Sequence, residues 1–292
     1  MDADDVRAMQ SLAATVWRLR PEIVNVDATV GELAWVWGTS AHEADSFDAR
    51  IWRDGDDVVA WAWRYPPQEL IVSEDRREVS PPSLVWQVHP HRPDLLDEVF
   101  AAFAFGLTHV RTCDEDAIAA LERCGFGPAP DEPWHHLNTR SLDAIEPPVV
   151  PDGYELVTID DVEAFVDGHR RAWEGSSLTA ERYETVMATW PYRADLDVGI
   201  RAPDGTIVSR ATAWLDEANR TVELEPVGTD AAHRQRGLGR ACNLFALLQA
   251  RAAGATSAIV GCRGDDHYPV PRRLYWSIGF TPIARDVAYV HR

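Results

Sequence analysis

Two stretches of the chain place apolar residues at helical spacing behind the same acidic opening: Asp4-Asp5-Val6, running to Trp17, and Asp160-Asp161-Val162, running to Trp173. Asp54-Gly55 and Asp204-Gly205 each separate two β-rich runs, the mark of a hairpin turn that needs positive φ. Leu121-Glu-Arg-Cys-Gly-Phe126 matches Tyr275-Trp-Ser-Ile-Gly-Phe280. The three pairs lie 156, 150 and 154 residues apart, so order and spacing are kept and the chain reads as a duplication. Composition changes at Glu146-Pro-Pro-Val-Val-Pro151, a stiff connector that divides the chain into copies 1–148 and 149–292. The second copy has a strand pattern over 154–158 ahead of its helix; the first begins at its helix and lacks that strand.

After that strand, the second copy's pattern predicts helices over 161–173 and 179–190, then a hairpin of 196–200 with 207–214. A strand over 221–229, a helix over 237–253 stopped by Gly254, a strand over 257–262, a helix over 271–278 and a last strand over 287–291 follow. Strands interleaved with helices after an antiparallel hairpin predict an α/β fold. Each tandem domain is then a mixed, mainly antiparallel sheet flanked by helices.

Charge narrows the function classes. The 292 residues carry 47 acidic and 28 basic side chains, a formal charge of −19, and every basic residue is Arg. Nucleic acids and anionic membranes demand clustered cations, so neither is an expected partner. No apolar run reaches the ~18 residues of a membrane span and no leader pattern follows Met1, which predicts a cytoplasmic protein. The four cysteines make no Cys-x-x-Cys pair and read as reduced packing residues. His89, His91, His135 and His136 lack supporting ligand spacing, and no metal is expected. Acid is concentrated in the first half: residues 1–150 hold 27 acids and 12 arginines, residues 151–292 hold 20 and 16.

The strand over 221–229 leads through Arg234-Gln235-Arg236-Gly237-Leu238-Gly239-Arg240 straight into an apolar-periodic helix. Glycines at i and i+2 opening a helix leave backbone N–H groups free at the positive end of its dipole, where a pyrophosphate can sit, and the arginines add charge. On Val222-Glu223-Leu224-Glu225, strand alternation puts both carboxylates on one face. Two like charges ~7 Å apart, partly desolvated, push one pKa toward the range of a general base.

Arg-x-x-Gly-x-Gly behind an acidic strand, followed by Leu274-Tyr275-x-x-x-Gly279-Phe280, resembles the GCN5-related N-acetyltransferases (GNAT). The resemblance covers 152–292 with both principal motifs and 1–150 in framework only. It implies transfer of acetyl from acetyl-CoA, the co-substrate, to a primary amine of a small molecule. It also implies cofactor contacts along Arg234, Gln235, Arg236, Gly237, Leu238, Gly239 and Arg240, and at Val227, Gly228 and Thr229, where the strand splays from its neighbour starting at Pro226. Glu223, eleven residues before Arg234, is implied as the base with Glu225 second, and Tyr275 as the acid that protonates the departing thiolate. Tyr268 stands where the family often has Asn.

Mapped onto the first copy, the motif fails: Pro93 replaces the loop arginine, Leu96 and Glu98 the glycines, Pro82 the base and Leu121 the tyrosine. That copy is expected to be degenerate, to pack intramolecularly against the active one and to help shape its acceptor pocket, in a monomer or homodimer. Eight of the twelve tryptophans fall in it, with Trp61 and Trp63 on one strand face, as core or interface packing. A non-catalytic acyl-CoA-binding or scaffold protein is the alternative.

Overall fold

Both acidic openings turn out to be helix caps. The Asp2 carboxylate accepts the Asp5 amide at 2.9 Å while Asp5 accepts the Asp2 amide at 3.2 Å, a reciprocal capping box. Asp161 accepts the Ala164 amide at 3.1 Å in the second copy. The computed structural model describes residues 1–41, 48–67, 69–73, 76–79 and 81–291. Its first copy comprises α1 (Ala3–Leu19), α2 (Val30–Ser40), β1 (Asp48–Asp54), β2 (Asp57–Tyr65), a separate hairpin of β3 (Glu69–Ser73) with β4 (Arg76–Val79), and β5 (Ser83–Val88). It continues through α3 (Leu96–Ala101), β6 (Leu107–Arg111), α4 (Glu115–Arg123), β7 (Phe126–Pro128) and β8 (His135–Ser141). The second copy opens with β9 (Glu155–Thr158), α5 (Val162–Ala172), α6 (Ala180–Met187), β10 (Asp197–Arg201) and β11 (Ile207–Asp216). Then come β12 (Thr221–Thr229), α7 (Leu238–Ala252), β13 (Ser257–Arg263), α8 (Val270–Ser277) and β14 (Thr281–His291). Among the described residues, no strand precedes α1 as β9 precedes α5.

The repeat signals keep their geometry. Gly125 after α4 and Gly279 after α8 have φ of 86° and 87°, a left-handed exit that glycine adopts without penalty. Gly55 (φ 61°) closes a tight β1–β2 turn, whereas the β10–β11 loop is longer, running over Ala202–Thr206 with Gly205 at φ 89°.

One sheet of twelve strands runs through both copies in the order β1-β2-β5-β6-β14-β8-β13-β12-β11-β10-β9, with β7 beside β14. The copies have exchanged their last strands. β8 pairs antiparallel with β13, from Ser141↔Ser257 to His135↔Arg263. β14 pairs with β8 over Thr281–Arg285 and then with β6, from Asp286↔Arg111 to Val290↔Leu107. The last strand is therefore eleven residues long and begins six residues before the predicted 287, its alternation being interrupted by a register shift between Pro282 and Ala284.

An ion cluster is buried at this seam. Arg111 and Asp286 are 2% and 1% exposed. Asp286 accepts the His135 amide at 2.6 Å, and its Oδ2 lies 3.3 Å from His135 Nδ1 and 3.6 Å from Arg111 Nη1. Burial alone would raise the Asp286 pKa, yet the bond to His135 and the charges of His135, His109 and Arg111 bring it down to about 2. Trp61 and Trp63 are core residues, packed with α1 and α2 and with Leu137 and Ile259 from the two middle strands. Cross-copy packing continues where α2 lies on α6: a Cβ on Gly38 would come within 2.5 Å of the Val186 Cα. No described helix is long and apolar enough to cross a membrane.

Candidate active site

β12 sends Val222 and Leu224 into the core under α7, and Glu223 to the opposite face, as its alternation predicts. There it meets the first turn of α2. Glu223 Oε1 accepts the Thr29 hydroxyl at 2.7 Å and Oε2 accepts the Gly31 amide at 3.0 Å. A carboxylate at a helix N-terminus satisfies orphan donors and opposes the dipole. Gly31 allows the approach, since a Cβ would stand 2.5 Å from Glu223 Oε2 and 2.4 Å from the Trp214 ring. Burial pushes Glu223 up to about 7 against its bonds to Thr29, Gly31 and Glu32.

Glu225, two residues on, is half-buried, and among the described residues its carboxylate has no hydrogen bond or ion pair. Burial, with the charges of Glu223 and Asp27, pushes it up to about 8. Glu32 on α2 is raised well above the usual carboxylate range by burial and by Glu225, Asp27 and Glu223. Tyr65 is raised by burial and by Glu32 and Asp27. Tyr275, on α8, is 5% exposed, sets its ring against Phe280 and has no hydrogen-bond partner for its hydroxyl among the described residues. Burial, then Glu225, Cys262 and Tyr268, hold that hydroxyl well above its ordinary pKa.

The parallel pairing of β12 with β13 ends at Glu223↔Ile259, so the splay begins at Leu224, two residues earlier than predicted from Pro226. Pro226 lies instead in a bulge, where Glu225 and Pro226 together oppose Thr212 on β11. Val227, Gly228 and Thr229 lie along the edge freed from β13. Gly228 is overlaid by Trp173, whose ring would be 2.4 Å from a Cβ there. Thr229 Oγ1 is 2.9 Å from Ser209 Oγ, and its carbonyl accepts Arg234 Nε at 3.2 Å.

Beyond this edge, Gln235 (φ 61°) and Gly237 (φ 79°) turn the chain into α7. The amides of residues 235–240 donate to nothing among the described residues, since the first bond of the helix runs from Ala241 to the Gly237 carbonyl. Arg234, Gln235 and Arg236 are exposed, and Leu238, 1% exposed, anchors the turn in the core. Arg236 donates to the Tyr154 hydroxyl at 2.9 Å, and Arg240 pairs with Glu146 of the connector. Gly239 sits where a Cβ would be 3.2 Å from Thr229 Oγ1 and 3.6 Å from Leu274. Free amides, three arginines and a glycine-lined approach fit a pyrophosphate.

Among the described residues, the first copy has no such cradle. α3 is six residues long, follows a proline-led 3₁₀ turn and has Asp94, Asp97 and Glu98 at its start, where an anion would be repelled. In the opening between β5 and β6, Trp86 Nε1 donates to Thr108 Oγ1 at 3.1 Å and the Arg111 side chain lies beside it. Among the described residues, His109, His135 and Asp286 bring three ligand-type atoms within 4.8 Å of one another. Asp286 is already engaged by His135 and Arg111, and of this group only His135 stood out in sequence, because Asp286 reaches the first copy only where β14 pairs with β6, the strand that carries His109. Sequence reasoning also missed Asp27, Glu32 and Tyr65. The available signal was Thr29-x-x-Glu32, a capping-box spacing that marks the start of α2.

No protein-family model matches the chain. Mycothiol acetyltransferase of Nocardia farcinica is 30% identical over 186 residues, 59% of this chain and 60% of that protein, so the match spans three fifths of the relative's length. A GCN5-related N-acetyltransferase from Sphaerobacter thermophilus superposes with a TM-score of 0.59 at 19% identity, covering 99% of this chain and 93% of that one. A tandem GNAT protein from the clavulanic acid biosynthesis pathway gives 0.59 at 15% identity, covering 99% and 94%. A GCN5-related N-acetyltransferase from Kribbella flavida gives 0.53 at 18%, covering 88% and 95%. The chain thus has the tandem GCN5-related N-acetyltransferase fold, its two copies joined through one sheet by exchanged strands.

Proposed function

We infer that residues 149–292 form an N-acetyltransferase acting on a primary amine of a small molecule, and that residues 1–148 are a degenerate copy closing its acceptor side. The observation that carries this reading is the run of free amides at 235–240 reached from a strand splay that begins at Leu224, next to Glu225, whose carboxylate has no hydrogen bond among the described residues. Acetyl-CoA, held along Arg234–Arg240 and the edge of Val227, Gly228 and Thr229, supplies the activated thioester. Glu225 takes a proton from the incoming ammonium, free backbone amides on the β12 edge face developing negative charge, and Tyr275 returns a proton to the sulfur. The sequence pattern ranks Glu223 first as base. Its oxygens are committed to Thr29 and Gly31, which favours Glu225 as base and Glu223 as the residue that docks α2.

Free-thiol release from acetyl-CoA with a panel of primary amines tests the reading: release with an amine supports it, and tight binding with no release for any amine favours the scaffold alternative. Gly239→Asp is expected to weaken acetyl-CoA binding by about 10²-fold in calorimetry, because it sets a carboxylate at the anion site and crowds Thr229. Tyr275→Phe should lower kcat by about 10²-fold with acetyl-CoA affinity kept, since a general acid acts only in the transition state.

A further inference from the structure

Trp173 stands against the edge along which the cofactor is placed. Val227 packs into the core on the α7 side of the sheet, so by strand alternation Gly228 faces the other side, that of α5 and α2. A Cβ on Gly228 would come 2.5 Å from Trp173 Cζ3 and 2.8 Å from Ala172 Cβ, so the indole lies directly on the Gly228 backbone. Glycine is what permits so close an approach.

The indole is held from behind. Trp173 ends α5 and stacks on His169, one turn earlier, with ring centroids 4.3 Å apart and planes 22° apart. His169 is 7% exposed, and its Nδ1 has no hydrogen-bond partner among the described residues, so ring contacts do much of the holding. Burial, then the charges of Arg210 and Arg170, bring its pKa down to about 3, which leaves the ring neutral. His169 also meets Trp35 on α2 of the first copy, at 5.4 Å between centroids, and Trp35 meets Tyr183 of α6 edge-on at 6.2 Å. Rings from both copies thus make one wall that ends on Gly228.

That wall lies in the path of the acyl group. The free amides of 235–240 open at the start of α7, whereas Glu223 and α2 lie on the opposite face of the sheet. A thioester anchored at the first and reacting toward the second has to cross the open edge of 227–229. Its acyl chain then points to the side where Trp173 stands. In the transfer the thioester C–S bond breaks as the amide C–N bond forms, the amine loses a proton and the sulfur gains one, whatever the acyl length. Selection among acyl groups therefore falls to the walls of the site.

We propose that Trp173 sets the length of the acyl group, admitting acetyl and excluding chains of four or more carbons, and that Trp35 of the degenerate copy is a positioning residue that holds Trp173 in place through His169. The inference rests on the acetyl-CoA reading above, and it gives the first copy a share in the choice of cofactor.

The test is calorimetric titration of the intact chain with acetyl-, butyryl- and hexanoyl-CoA, which needs no acceptor, beside thiol release with the panel of primary amines. The parent should bind acetyl-CoA about ten- to a hundredfold more tightly than hexanoyl-CoA, the discrimination that a filled apolar site exerts against added methylenes. Trp173→Ala should remove most of that ratio by a gain with hexanoyl-CoA, which a misfolded variant cannot show, and Trp173→Phe should keep most of it. Trp35→Leu should lower the ratio in part and Trp35→Phe should restore it; a merely structural role would weaken all three acyl-CoAs alike. An unchanged ratio in Trp35→Leu overturns the positioning role. Equal binding of acetyl- and hexanoyl-CoA by the parent, or an unchanged ratio in Trp173→Ala, overturns the acyl-length assignment, while release from acetyl-CoA with an amine leaves the transferase standing. Discrimination that Trp173→Ala removes, with no release for any amine, supports the wall and overturns the transferase. No binding of any acyl-CoA overturns both.

Discussion

Glu225→Gln is expected to lower kcat by about 10³-fold at its best pH, within the 10²–10⁴ that a positioned general base contributes. The glutamine keeps the shape of the side chain but cannot take the ammonium proton. Burial and the charges of Glu223 and Asp27 raise Glu225 to about 8, so its carboxyl is increasingly protonated as pH falls and the basic form grows as pH rises. In the parent, kcat/KM should therefore rise with pH toward a plateau above about 8, and that limb should vanish in Glu225→Gln. Glu223→Gln should behave differently. It weakens the anchor of α2, where bonds to a charged group contribute about 1.5–3 kcal/mol, so its main effect should be a lower melting temperature. If Glu223→Gln abolishes the pH limb and Glu225→Gln keeps it, the roles are reversed.

Asp286→Ala should have the largest effect on stability, about 3–5 kcal/mol, of a total that is typically 5–15. It leaves the Arg111 guanidinium, 2% exposed and with Nη1 and Nη2 free of hydrogen bonds, without its counter-charge. It also cuts the carboxylate that ties β14 to β8 through the His135 amide. Because Asp286 is depressed in the fold, its stabilisation is present above the unfolded pKa of 3.8 and is lost as pH falls toward 2. Asp286→Ala should accordingly lose most at neutral pH and converge with the parent in acid. Arg111→Met combined with Asp286→Leu should recover much of the loss, since an apolar replacement of a buried pair is often neutral. Exchanged strands should make the two copies melt in one calorimetric transition; two separate transitions in the parent would mean that the seam does not couple them.

Local signals were legible where one residue has a local job. The paired Asp openings cap α1 and α5, Gly279 closes α8, Gly237 starts α7, and β12 ends where its pattern ends. Alternation also put Glu223 on the face away from the core. Partner choice was not legible, because it is long-range. Residues 281–285 and 286–290 of β14 belong to two different strand pairs, and nothing in their alternation names β8 or β6. The division of labour between the two glutamates was hidden for the same reason, since it depends on Gly31 letting a helix from the other copy reach Glu223. Glu32 is marked in sequence only by its capping-box spacing from Thr29, which signals a helix start and not the approach of that helix to β12.

Titration of acetyl-CoA into the intact chain decides whether one copy or both can hold the cofactor. A single cradle at Gly237–Arg240, beside a first copy with acids and prolines in its place, predicts one equivalent bound per chain, about 10²-fold more weakly in Gly239→Asp. Two equivalents per chain, or one whose affinity is unchanged in Gly239→Asp, would refute the assignment of the cradle to the second copy alone.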